Sequence, residues 1–442
     1  MRWTRTVIAV VVVVCAVAAA ASGIAGGRSS PAAHEAARTA LAAATGEPLL
    51  SCPPAVRGLG SIALTARGRL DLIDLRACRV RQVAAGVAAG ARFSPDGRWV
   101  AYSRSGTGSP AVVRVAGGAA RTPLGAGIVS WWWAPKGALL YGVNHRGQLL
   151  AATPPGRARV AAAGATVTGA VGLSPAGRLL AISTSRCLPA RSELDTVDVA
   201  TGARRVAIDR PHADATFAGW SPDGRWLLYW AQAQCSASLS ADGWPLDAVP
   251  VASGRGGGRP SRAVAHMLLY PDFLSWCGRT LIAASGPSRE TQLDSRLVAT
   301  GPPSWRQRTI AAAAHLSWVS PACAPSARLL AAAAGPNTQD SVFGVQHRSI
   351  WLLAPDGRIL RRLTTPPAPN LSDEAPRFSH NGRWIMFVRT QVRGFSSIDT
   401  LELVPAARSG AASTVALLRF TSGDISFYDH FSWAQEIDWH EA

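Results

Sequence analysis

The chain has 442 residues, 48% of them apolar and 16% charged, a balance that excludes a disordered polymer and allows a well-packed core. Its 42 glycines and 30 prolines, without a collagen period, imply many turns and exclude a long coiled coil, so an all-β chain is expected. The formal charge is +18 with Lys136 as the only lysine, but the arginines are spread along the chain instead of grouped on one element, which argues against nucleic acid as a partner.

Residues 1–30 contain Arg2 and Arg5, no acid, an apolar run beginning at Val7 and a small-residue stretch at 22–27. That order is the pattern of an export signal. The 19 residues 7–25 are long enough to cross a bilayer, so the segment reads as either a signal peptide, cut at a site such as Ala19-Ala20-Ala21, or an N-terminal membrane anchor. In both cases the positive residues precede the apolar run, which puts everything after residue 30 outside the cytoplasm, secreted or held on the outer side of the cytoplasmic membrane. Membrane contact is expected only through this segment, and only if it stays uncleaved. Residues 31–59 read as a linker and 60–442 as one folded domain.

Self-similarity organises the rest. Arg-Phe-Ser-Pro-Asp-Gly-Arg-Trp-Val-Ala-Tyr at 92–102 returns as Gly-Trp-Ser-Pro-Asp-Gly-Arg-Trp-Leu-Leu-Tyr at 219–229 and Arg-Phe-Ser-His-Asn-Gly-Arg-Trp-Ile-Met-Phe at 377–387. Weaker copies surround Gly137, Gly177 and Gly278, and a distorted one runs from Leu316 to Ala331. Ser-Pro-Asp-Gly reads as a hairpin turn: Pro fixes φ, Asp bonds its own backbone, and Gly accepts the left-handed conformation. The strands leaving these turns, such as 226–230 and 384–388, are continuously apolar, as in a sheet covered on both faces. A second hairpin follows in most units, giving four strands per repeat, the unit of a β-propeller blade.

These motifs resemble the TolB-like, WD-like β-propeller repeat, an aromatic followed by Ser-Pro-Asp-Gly-Arg and an apolar strand, over roughly residues 60–437. The resemblance implies the fold without a function, since such propellers serve as binding modules, periplasmic assembly proteins and non-catalytic domains of peptidases. Residues 31–59 are too short for the separate α/β domain that precedes the propeller in TolB itself. Seven copies plus a composite unit make eight blades, with seven the alternative if the Leu316 unit is misread. The composite takes three strands from 61–64, 70–75 and 80–83 and a closing strand from 430–435, so the C-terminal strand is expected to close the ring.

Six cysteines follow the leader. Cys187 and Cys235 fall at similar places in neighbouring repeats, as do Cys277 and Cys323, which suggests these two pairs as disulfides, with Cys52–Cys78 as the third. No Cys-x-x-Cys or Cys/His cluster supports a metal site. No Gly-x-Ser-x-Gly elbow exists, because in Gly219-Trp-Ser-Pro-Asp-Gly224 the second glycine comes one place late. His212 and Asp214 read as turn residues without a third ligand, and no cofactor is expected.

Arg98, Arg178, Arg225, Arg279 and Arg383, with Lys136, belong to the motif turns and ring one face. The other face is expected to carry longer loops at 184–193, 231–243, 285–294, 335–347 and 365–376, with Trp244, Glu290, Asp340, Phe343, Gln346, Asp373 and Glu374 as candidate binding residues. The resulting expectation is a non-catalytic binding or scaffolding protein of the cell envelope, its partner an envelope protein or polymer. The alternative is a propeller hydrolase or lyase, which would need His or acidic side chains converging at the mouth of the channel.

Overall fold

The computed structural model describes residues 49–162, 171–184, 191–211, 213–233, 243–251, 261–268, 270–286, 293–311, 313, 315–337, 347–393, 396–407, 413–421 and 432–441. The leader expected at 1–30 lies outside them. Among the described residues no helix is long and apolar enough to cross a membrane. Residues 48–442 form one compact unit built of eight antiparallel sheets, the blades of a β-propeller.

Blade 1 comprises Ser61–Ala66, Arg69–Asp74 and Arg79–Ala85, completed by Ile437–His440 on its inner edge. Blade 2 shows three strands, Val87–Phe93, Trp99–Arg104 and Pro110–Arg114. Four-stranded blades 3 to 7 begin with Ile128–Trp133, Val171–Leu173, Ala213–Trp220, Leu274–Cys277 and Leu316–Cys323. Blade 8 runs Leu371–Phe378, Trp384–Arg393, Ser396–Pro405 and Val415–Phe420, with Leu49–Leu50 paired to the last of these as a fifth strand. Residues expected to be a linker thus supply the outer edge of blade 8. The distorted unit at Leu316 is a full blade, which settles the count at eight.

Three of the motif turns share the same two serine bonds. In blade 2 the Ser94 hydroxyl donates to Asp96 Oδ1 (2.6 Å) and accepts from the backbone N–H of Trp99 (3.0 Å). Ser221 does the same with Asp223 and Trp226, and Ser379 with Asn381 and Trp384. Serine therefore ties the turn to the departing strand, in addition to the turn-forming Pro, Asp and Gly. Gly97 takes φ +68°, where a side chain would be strained. Blade 7 keeps the turn with Ala327 at φ +54° in the glycine's place, which is why its motif reads as degenerate.

The strands after these turns are buried on both faces, as their apolar runs require: Leu227, Leu228 and Tyr229 are at most 1% exposed. Tryptophans sew the blades together, Trp133 Nε1 donating to Arg92 O in the preceding blade and Trp220 Nε1 to Gly172 O, both at 3.0 Å. Closure departs from the expected register. Trp433–Glu436 forms one helical turn, and the strand that pairs with Ser61–Ala66 is Ile437–His440. Trp433, 1% exposed, packs into the core instead of continuing a strand.

Cys277 and Cys323 form a disulfide (S–S 2.06 Å, Cα–Cα 5.4 Å) joining the first strands of blades 6 and 7. Changing both to Ser should cost about 2–4 kcal/mol, read as a lower guanidinium midpoint at unchanged slope; an unmoved midpoint would show the bridge to be dispensable. Cys187 and Cys235 lie outside the described residues. The third expected bridge is corrected: Cys52 and Cys78 are free thiols. Burial, reinforced by a hydrogen bond with Cys78, pushes the Cys52 pKa up to about 12.

Candidate functional site

The closing segment carries charge into the centre of the ring. Arg92, on the inner strand of blade 2, donates to the carbonyls of Ala91 (2.6 Å) and Ala434. Asp272 Oδ2, in the short helical turn Pro271–Phe273 that leads into blade 6, accepts the N–H of the same Ala434 (3.1 Å). Arg377 on the inner strand of blade 8 donates to Ile437 O (2.8 Å), and Asp438 Oδ2 accepts from Phe93 N–H (2.7 Å). Three blades therefore hold one strand segment through charged side chains. Charge-assisted bonds to backbone are about twice as strong as neutral ones, and here they secure the seam of the ring.

Burial shapes the proton affinities. It pulls Arg92 below the usual arginine range, helped by Arg377 and opposed by Asp438, Asp272 and Glu436. It raises Asp272 against the nearby Arg377, and it pushes Glu436 up to about 7 against the opposing pull of Arg92. An acid whose folded-state pKa exceeds its unfolded value is penalised when ionised, so stability rises as pH falls through about 7. The melting temperature should therefore increase between about pH 8 and pH 6, and Glu436→Gln should flatten that increase. A melting temperature that falls over this window, or an unchanged slope in the variant, would refute the assignment.

Beside this cluster the inner strands of blades 6, 7 and 8 enclose a partly open cavity of about 290 Å³, lined by Asp272, Ser275, Ser320, Arg377, Phe378 and the prolines Pro271, Pro321 and Pro376. Register breaks shape two of its walls, between Val319 and Ala322 in blade 7 and between Glu374 and Arg377 in blade 8. Such bulges re-aim side chains, here toward the channel. Among the described residues no group of three His, Cys, Asp or Glu is placed to hold a metal ion.

The expected binding residues fare differently. Glu290, Asp340, Phe343 and Gln346 lie outside the described residues. Trp244 opens the strand Trp244–Pro250 and is 8% exposed, so it belongs to the core of blade 5 and not to an exposed loop. Asp373 and Glu374 are also corrected: they lie in the strand Leu371–Phe378, at 0% and 7% exposure. Asp373 receives both Nε (2.7 Å) and Nη2 (3.0 Å) of Arg389, which also bonds Glu402 (2.9 Å). Glu374 pairs with the buried Arg348 of blade 7 (2.9 Å). Their sequence, polar and next to a Pro, looks like a loop, but each carboxylate has a buried arginine partner, the condition under which a charge can occupy a core. On the motif-turn face Arg98 pairs with its own Asp96 (2.7 Å) and Arg279 approaches Asp223 of the preceding blade (4.0 Å).

The strand topology defines the class of this protein, an eight-bladed β-propeller. No family model matches the chain, and no curated protein does so. Solved structures do: a eukaryotic initiation factor at 14% identity, covering 82% of this chain and 98% of that one with TM-score 0.47; TolB from Acinetobacter baumannii at 14%, covering 91% and 72%, with TM-score 0.37; and an oligogalacturonate lyase from Vibrio parahaemolyticus at 10%, covering 87% and 100%, with TM-score 0.42. At such identities and TM-scores these similarities decide no function.

Proposed function

We propose that this propeller is a non-catalytic binding or scaffolding protein working outside the cytoplasm, at the cell envelope, and that it recognises an envelope protein or polymer on the face opposite the motif turns. The observation supporting this reading is the sameness of the motif-turn face. Ser94, Ser221 and Ser379 make the same two bonds in blades 2, 5 and 8, so in those blades the short turns offer little beyond a salt-screened attraction for anions. The connections on the other face differ in length and composition from blade to blade, and the one at 335–347 brings Asp340, Phe343 and Gln346 together in sequence. Replacing residues 338–346 with a Gly-Ser linker should leave the melt unchanged and abolish capture of the partner from envelope extracts in high salt. Changing Arg98, Arg178 and Arg225 to Ser should weaken only salt-sensitive adhesion; the reverse pattern would place recognition on the motif-turn face.

A second reading, a hydrolase or lyase acting inside the channel, is favoured by one feature. Asp272, Glu436 and Asp438 gather about Arg92, and a carboxylic acid with a pKa of about 7 suits proton transfer near neutrality. Under that reading Glu436→Gln would abolish turnover of envelope glycans or peptides and leave capture intact.

A further inference from the structure

We infer that the cavity between the inner strands of blades 6, 7 and 8 binds a free aliphatic α-amino acid. This goes beyond recognition of a macromolecule on the loop face and stands on different residues. Two groups of opposite charge line the cavity, each with hydrogen-bonding capacity to spare. Arg377 spends Nη1 on Ile437 O, and its other two nitrogens have no protein partner among the described residues. Asp272 spends Oδ2 on Ala434 N–H, and among the described residues Oδ1 has none.

Ser320 adds a neutral group. It is 4% exposed, lines the cavity and has no side-chain partner among the described residues. Ser275 Oγ accepts from Cys323 N–H (2.9 Å), which leaves its own proton to donate. The spent valences fix the geometry, and the disulfide between Cys277 and Cys323 pins blade 6 to blade 7 at the same wall. The site is therefore organised before a ligand arrives.

Charge then selects the ligand. A bare anion would meet Arg377 but be opposed by Asp272, and a bare cation would meet Asp272 but be opposed by Arg377. A zwitterion satisfies both: its carboxylate accepts a fork from Arg377, and its ammonium donates to Asp272 and Ser320. Size agrees. A cavity of about 290 Å³ lies just below the range of ~300–1,000 Å³ for ligand sites, which suits a ligand as small as an amino acid. Leu274, Phe378 and the three prolines offer apolar contact to a short side chain, and the prolines contribute no competing N–H.

Backbone strain points to the same place. Ser320 and Ala375 take φ +49° and +50°, left-handed values that cost a non-glycine residue on the order of 1–3 kcal/mol and gather at ligand sites. Each immediately precedes a proline of the cavity wall, Pro321 or Pro376.

The test is calorimetric titration of the full chain with L-leucine, with 3-methylbutylamine, which lacks the carboxylate, and with 4-methylpentanoate, which lacks the ammonium, followed by the remaining common amino acids. Binding of leucine or another aliphatic amino acid, weakened by at least about tenfold when either charged group is missing, is expected. Ser320→Ala should reduce affinity by several-fold with the melt unchanged, and Arg377→Gln should abolish binding. If Arg377→Gln proves unstable because Ile437 O loses its donor, the three-ligand comparison on the unaltered protein still decides. No binding by any amino acid, or equal binding of the amine or the carboxylate alone, overturns the inference. Neither result alters the loop-replacement test of macromolecular capture.

Discussion

A chain ending at Ser432 should fail to give a soluble, cooperatively melting protein. Truncation removes Trp433 and Ile437, 1% and 2% exposed, and strips Ser61–Ala66 of the four-residue pairing that runs from Ser61↔His440 to Leu64↔Ile437. An open sheet edge is a template for association with other chains. The loss also takes one hydrogen-bond partner each from Arg92, Asp272 and Arg377. Light scattering and a thermal melt should report aggregation without a sharp transition. Returning residues 432–442 through a flexible linker ahead of Leu49 should restore the transition, because closure needs the strand beside Ser61–Ala66 and not its covalent position. A truncated chain that melts like the full one would remove the closing strand from the list of essential elements.

Replacing Arg389 with Met should destabilise the propeller by about 3–5 kcal/mol, the usual cost of leaving buried charge uncompensated. The arginine bridges Asp373 and Glu402, which are 0% and 4% exposed, and the substitution would leave two carboxylates facing each other in the body of blade 8. The variant should recover with acid. Burial already holds the Glu402 carboxyl above its usual range, and Arg389 pulls it back down, so without the arginine it rises further. For an acid whose folded pKa is raised, stability returns as pH falls through that value. Denaturant melts across the acid range would show the recovery, and Arg389→Met combined with Asp373→Asn and Glu402→Gln should regain most of the loss at neutral pH. A single variant within about 1 kcal/mol of the parent at neutral pH would mean that solvent reaches the pair.

The fold was legible because each blade restates the same local chemistry. Turn residues at 94–97, 221–224 and 379–382 sit before runs apolar enough to be buried on both faces, and both signals are local. The sequence points to a closing strand several residues too early because Phe431 and Trp433 imitate the aromatic of the motif, while helix or strand at that point is decided by contacts with blades 1, 2 and 6, far away in sequence. The candidate site was less legible. Asp373 and Glu374 looked like exposed acids because their partners, Arg389 and Arg348, lie 16 and 26 residues away. Arg377 and Asp272 carried no motif of their own, and only the geometry of the ring brings them to one cavity.

The fifth strand of blade 8 has a mechanical consequence. Leu49–Leu50 lies along the outer edge of that blade, whereas the ring is fastened at the inner edge of blade 1 by Ile437–His440. Tension reaching the propeller along the chain from its N-terminal side is therefore taken first by a two-residue outer strand. That strand can be peeled away bond by bond while the fastening on the opposite edge stays unloaded. The outer strand acts as a fuse: a pull along the chain spends itself at the periphery before any of it reaches the charges that line the centre.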